Sequence, residues 1–110
     1  MVAAFELETT PTNTFHFVLR APNGEIILTS ETYGSKADAL NGIASVRASS
    51  TMDDNFRRRV SQSGQAYFVL VAHSGETIGT SGMYSTTAAR DKGVHAVKLH
   101  APAANIDDKA

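Results

Sequence analysis

A chain of 110 residues with 42% hydrophobic side chains is sized and composed for one domain around one core. Ten basic against eleven acidic side chains leave a net charge of −1, which points neither to nucleic acid nor to an anionic membrane as a whole-molecule partner. With no Cys there is neither a disulfide framework nor thiolate chemistry, and no apolar run reaches the length of a bilayer span.

The chain then says nearly the same thing twice. Thirteen of the 34 positions from Phe15 to Ala48 carry the same residue 51 places later, among them Phe17, Leu19, Gly24, Ser30, Tyr33, Gly42 and Val46. Recurrence at a fixed offset marks a duplicated supersecondary unit. Half of this chain is too short to bury a sufficient core alone, so the halves are expected to share one. The limits are residues 5–48 for the first repeat, 49–55 for a linker, 56–99 for the second repeat, and 100–110 for a flexible tail, with Ile106 as the alternative anchor of a short strand there.

In chain order, the opening MVAAFELETT has no basic or apolar leader pattern and is interrupted by Glu6 and Glu8. A cytoplasmic protein without a signal peptide is the expectation. Phe5 to Thr9 reads as a leading strand, repeated from Phe56 to Ser61. Phe15, Phe17, Leu19 and Ala21 alternate with His16, Val18 and Arg20, a strand with one buried face. Phe68, Leu70 and Ala72 repeat it against Tyr67, Val69 and Val71. Asn23-Gly24 and Ser74-Gly75 supply tight hairpin turns, and Glu25–Ser30 and Glu76–Ser81 return as third strands.

The period then changes to that of a helix. Ser35 and Thr86 are N-cap candidates, the first with Asp38 three residues on. Ala39, Gly42, Ile43 and Val46 share one helical face, as do Arg90, Gly93, Val94 and Val97. A mid-helix Gly costs about 1 kcal/mol relative to Ala. Its recurrence within the stripe predicts close approach of each helix to the sheet or to the other helix. The fold class expected is α+β: a tandem duplication of a βββα(β) unit with pseudo-two-fold symmetry. It forms a single, largely antiparallel sheet with two helices packed on one face.

FxFVLRAxNGEIILTSExYxSKxxAxxGIASVRxS, followed by a weaker second copy, resembles the YegP-like family of small bacterial proteins. The likeness runs from about Phe5 to Leu99. It implies a duplicated βββα unit, with a further strand exchanged between the halves in some members. It also implies that the chain looks like a fused homodimer, hence a monomer, and it carries over neither an activity nor catalytic residues. The second copy departs at Gly79 and Asp91, where the first has Leu28 and Leu40.

No residue pattern commits the chain to catalysis. HSGETIGTSG is glycine-rich without the strand-loop-helix context of a phosphate loop, and reads better as a strand. Thr29-Ser30 with Tyr33 and Thr80-Ser81 with Tyr84 offer an enzyme alternative, in which Tyr and its neighbouring hydroxyls act on a small ligand. No base recurs with them, because Lys36 becomes Thr87. His16, His73, His95 and His100 lack metal-ligand spacing, and Asp53-Asp54 and Asp107-Asp108 read as solvated charge. No cofactor and no metal are expected.

A non-enzymatic binding module is therefore favoured over an enzyme. Its candidate interaction surface is the sheet face away from the helices: His16, Val18, Arg20, Ile26, Leu28, Tyr67, Val69 and Val71, with Arg57 and Arg59 beside it. Such an apolar strip marks contact with a partner more often than bare exposure. Protein is the favoured partner and a membrane is not expected. Weak single-stranded nucleic-acid binding through Arg57–Arg59 is the lesser alternative. Because Glu6 and Glu8 hold the places equivalent to Arg57 and Arg59, the two leading strands are expected to meet and neutralise each other.

Overall fold

The computed structural model describes residues 2–110. Its strands are β1 (Ala4–Thr9), β2 (Phe15–Arg20), β3 (Ile26–Ser30), β4 (Phe56–Val60), β5 (Ala66–Val71), β6 (Thr77–Thr80) and β7 (Asn105–Asp108). The helices are α1 (Lys36–Ser49) and α2 (Thr87–His100). All seven strands form one sheet in the order β4-β5-β6-β3-β2-β1-β7. Every pairing is antiparallel except β1 with β7. The two halves meet where β3 pairs with β6, through Thr29↔Thr80 and Ser30↔Gly79. That seam is the pseudo-two-fold axis.

The local signals act as their chemistry dictates. The Ser35 side chain accepts the Asp38 N–H and the Thr86 side chain accepts the Ala89 N–H, so each helix start satisfies a main-chain donor. In the β2–β3 and β5–β6 turns only Gly24 and Gly75 take positive φ. Ala21 pairs with Glu25, and Ala72 with Glu76, across a three-residue loop. This is a type I turn closed by a glycine bulge, not a two-residue turn using both Asn23 and Gly24. Asn23 instead accepts the Glu25 N–H through its side chain. The β1–β2 turn places Asn13 at φ 66° where the second half has Gly64.

Phe5, Leu7, Phe17, Leu19, Ile43 and Val46 join Phe56, Phe68, Leu70, Val94 and Val97 in one buried cluster. Phe5 meets Phe17 edge-on at 5.8 Å between ring centroids, and Phe56 meets Phe68 at the same distance. Burial of each such side chain stabilises by about 2 kcal/mol. Both helices contribute to this one core, so one sheet face is covered and the other is free of helix.

Two expectations need correction here. Leu28 does not point to the outer face; it is 1% exposed and sits in the core. A bulge opposite Leu19 and Arg20 puts the extra residue Ile27 into β3. The inserted residue shifts the two-residue alternation, so Ile27 and Leu28 both reach the core. The same bulge recurs opposite Leu70 and Val71.

Nor is 100–110 a loose tail. After a 3-10 turn at Ala101–Ala103, β7 adds to β1 in parallel, with Asn105 N–H donating to Ala3 O and Lys109 N–H to Leu7 O. Arg47 of α1 donates to the Ala104 carbonyl at 2.7 Å while its guanidinium lies 5.5 Å above the Phe5 ring. The second half is tied back onto the first.

Candidate functional site

The sheet face opposite the helices carries one row of side chains through all seven strands. In register they run Asp107, Glu6, Val18, Thr29, Thr80, Val69 and Arg57. The row is acidic at the β7–β1 end and basic at the β4 end. Val18, Val69 and Val71 are only 5–8% exposed, because these short side chains lie on the sheet floor among taller neighbours. The expected open apolar strip is therefore corrected to a polar surface over a valine floor. Ile26, 47% exposed, is the one large apolar side chain of that set that stands free.

His16 and Arg20 reach toward β1. Arg20 Nε and Nη2 donate to the two Glu6 carboxylate oxygens at 2.9 and 3.1 Å, and Nη1 donates to Gly24 O. This bidentate contact holds the Glu6 carboxyl below its ordinary pKa and raises that of Arg20. His16 Nε2 lies 3.2 Å from Glu8 Oε1.

The expected neutralisation of Glu6 and Glu8 by Arg57 and Arg59 does not occur. β1 and β4 are separated by β2, β3, β6 and β5, and five strand spacings amount to about 24 Å. In the second half, Tyr67 and Val71 stand where His16 and Arg20 stand in the first, so Arg57 and Arg59 face neutral residues. Among the described residues neither has an ion-pair partner. Arg58 points the other way and is engaged by Asp53 at 3.1 Å and Asp91 at 3.3 Å. Asp53 also receives Lys98 at 3.1 Å, and these hydrogen bonds lower its pKa. It is thus a clamp on the inter-repeat segment and not merely solvated charge.

The recurring Ser and Tyr are explained by the strand that precedes each helix. Ser30 Oγ accepts the Phe17 N–H and donates to Glu31 O, and Ser81 Oγ does the same with Phe68 and Gly82. Both hydroxyls serve the backbone. Tyr33 stacks on Phe17 at 6.2 Å and Tyr84 on Phe68 at 6.5 Å. Burial pushes both phenols up from their ordinary pKa, Glu31 and Glu76 adding to the effect at Tyr33, and Glu25 at Tyr84.

Each ring borders a groove between its own helix and the hairpin of the other half. Tyr84, Gly93 and Lys92 face Glu25 and Ile27 across about 430 Å³, and Tyr33, Gly42 and Asn41 face Glu76 and Ile78 across about 330 Å³. Sequence reading did not find these grooves, because each is built from both repeats. Among the described residues, no group of three His, Asp or Glu is placed to hold a metal, and no helix is long and apolar enough to cross a membrane.

The domain of unknown function DUF1508 matches residues 12–56 and again 61–108, one copy for each half of the pseudo-symmetric sheet. The UPF0339 protein YegP of Escherichia coli K12 is 42% identical over 108 residues, 98% of each chain. A UPF0339 protein of Pseudomonas aeruginosa is 43% identical over 110 residues, the whole of both chains. The chain belongs to the UPF0339 family. Its fold agrees with the solution NMR structure of E. coli yegP, described as a protein of unknown function, at a TM-score of 0.93. That match is 41% identical and covers 99% of this chain and 94% of the other. The solution structure of a UPF0339 protein of Shewanella oneidensis matches with a TM-score of 0.92 and 42% identity, over 98% and 92% of the two chains. UPF0339 membership thus accounts for the duplication and the sheet, and the family's function is unknown.

Proposed function

We propose that this UPF0339 chain is a non-enzymatic binding module that takes a protein partner on the helix-free sheet face. The observation that supports it is the row from Asp107 and Glu6 to Arg57. Among the described residues it runs across seven strands with no helix above it. Arg20 and Lys109 already pair its acids and Arg57 has no ion-pair partner among these residues, so its unanswered charge is positive and lies at the β4 end. Polarised faces orient a partner and set its register. A photo-crosslinking residue placed in cells at Ile26 or Tyr67 should give one discrete heavier adduct, and the same residue at Lys92 on the helix side should not. Adducts from Lys92 alone would refute the face as the site.

The twin grooves favour a second reading, a small ligand beside Tyr33 or Tyr84. The seryl hydroxyls spent on backbone argue for binding there and not for their use in a reaction. Native mass spectrometry of protein purified from cells tests it: a ligand bound at stoichiometry, lost on Tyr84→Ala, would put this reading first.

A further inference from the structure

We propose that the outer edge of β4 accepts an acidic extended segment of a partner protein as an added parallel strand, its carboxylates against Arg57 and Arg59. This rests on the reading of the chain as a protein-binding module and names a particular place and chemistry for it.

The fold contains its own precedent. β1 and β4 are equivalent leading strands, and β1 already carries an added parallel strand, β7, on its outer edge. Among the described residues β4 ends the sheet with no strand outside it. Its backbone is set to receive one. Ser61 N–H donates to Gln65 O. Alternation along an antiparallel pair then turns the main-chain groups of Arg57 and Arg59 toward β5 and those of Arg58 outward. The outward carbonyl of Arg58 is the counterpart of the Leu7 carbonyl that receives Lys109 N–H at 2.8 Å.

The side chains say what kind of strand fits. In the first half, Arg20 and His16 of β2 answer Glu6 and Glu8 of β1. In the second half the leading strand holds Arg57 and Arg59, and no described carboxylate answers them. Val60, 62% exposed, lies one residue beyond, on the same side as Phe56. A parallel strand in the register of β7 would set acids opposite Arg57 and Arg59, and apolar residues opposite Phe56 and Val60. Strand addition takes affinity from main-chain hydrogen bonds and specificity from alternate side chains.

A second copy of β4 is a poor occupant, because antiparallel self-pairing would put Arg against Arg. Two unpaired cations on a chain of net charge −1 are also a small footprint for a polyanion.

The test is an amide NMR titration of the full chain with a blocked peptide whose core reads isoleucine, aspartate, serine, aspartate, isoleucine. Saturable shifts should centre on Phe56–Val60, with new hydrogen-exchange protection at Arg58. Arg57→Glu with Arg59→Glu, both at exposed positions, should keep the spectrum of a folded chain and weaken binding by about tenfold or more. The variant should instead bind the peptide with lysines in place of the aspartates.

Absence of saturable shifts at millimolar peptide would overturn the proposal, as would equal binding by the charge-reversed variant. Shifts centred on Ile26 and Thr29 would overturn the edge while supporting the sheet face. Tighter binding of a single-stranded oligonucleotide to β4 at physiological salt would reassign the edge to a polyanion, and wild-type dimerisation through β4 would reassign it to a second copy. Either would overturn the choice of partner.

Discussion

Gly42→Ala tests whether the repeated glycine is there for space. Alanine in a helix interior should gain about 0.8–1.0 kcal/mol over glycine. The added methyl carbon, however, would lie 2.7 Å from Tyr33 Cζ and 3.0 Å from Phe17 Cε2. Carbon atoms rest at about 3.5–4.0 Å, so the Tyr33 ring must retreat by roughly 1 Å. It is stacked on Phe17, and loss of that stack costs about 0.5–1.5 kcal/mol beyond area burial. Overpacking of this kind costs about 1–3 kcal/mol in total. The net expectation is destabilisation by about 1 kcal/mol, or a Tm lower by about 4–6 °C. Gly93→Ala should behave alike, since its methyl would meet Tyr84 Cζ at 2.8 Å and Phe68 Cε2 at 3.2 Å.

Chemical denaturation followed by circular dichroism would measure this, with Tyr33→Leu completing a double-mutant cycle. Leucine ends short of the tyrosine Cζ, so most of the penalty should vanish in that background, giving a coupling of about 1 kcal/mol or more. A stabilising Gly42→Ala, or a penalty unchanged by Tyr33→Leu, would refute the argument.

Gly79→Ala should destabilise by about 1–3 kcal/mol, because its Cβ would lie 2.9 Å from the Thr29 carbonyl and 3.0 Å from Leu28 Cγ. Leu28→Gly combined with Gly79→Leu, which moves the side chain across the pseudo-axis, should recover part of the stability lost in either single variant by urea unfolding. Asn13 sits at φ 66°, so Asn13→Val should cost about 1–2 kcal/mol while Asn13→Gly is close to neutral. Glu6 has a folded pKa below its ordinary 4.5, so its stabilisation is complete above that value and disappears as pH falls through the lower folded value. Thermal unfolding between pH 6 and pH 2 should therefore show a smaller acid loss for Glu6→Gln than for the wild type, and identical losses would contradict the Arg20 contact.

The amino-acid sequence by itself determined whatever depends on near neighbours. Alternation at Phe15–Ala21, the caps at Ser35 and Thr86, and the glycine turns act within a few residues, and the offset of 51 made each legible twice. Gly42 was legible as a close approach for the same reason, though not the ring that approaches it.

Only the tertiary structure decided what depends on strand order and register. Leu28 entered the core because one extra residue at Ile27 reversed the alternation, and a bulge exists only between paired strands. Arg57 and Arg59 were read as partners of Glu6 and Glu8 from equivalence within the repeat. A two-fold axis at the β3–β6 seam instead carries equivalent strands to opposite ends of the sheet. β7 left only a faint trace, Ile106 and the exchanged strand that the resemblance implies, since all four of its residues are exposed and no burial pattern marks it. It is held by main-chain bonds to β1 and by the Arg47 bond to Ala104. The β1 contacts join segments about a hundred residues apart and the Arg47 contact joins residues 57 apart, and no local pattern encodes either.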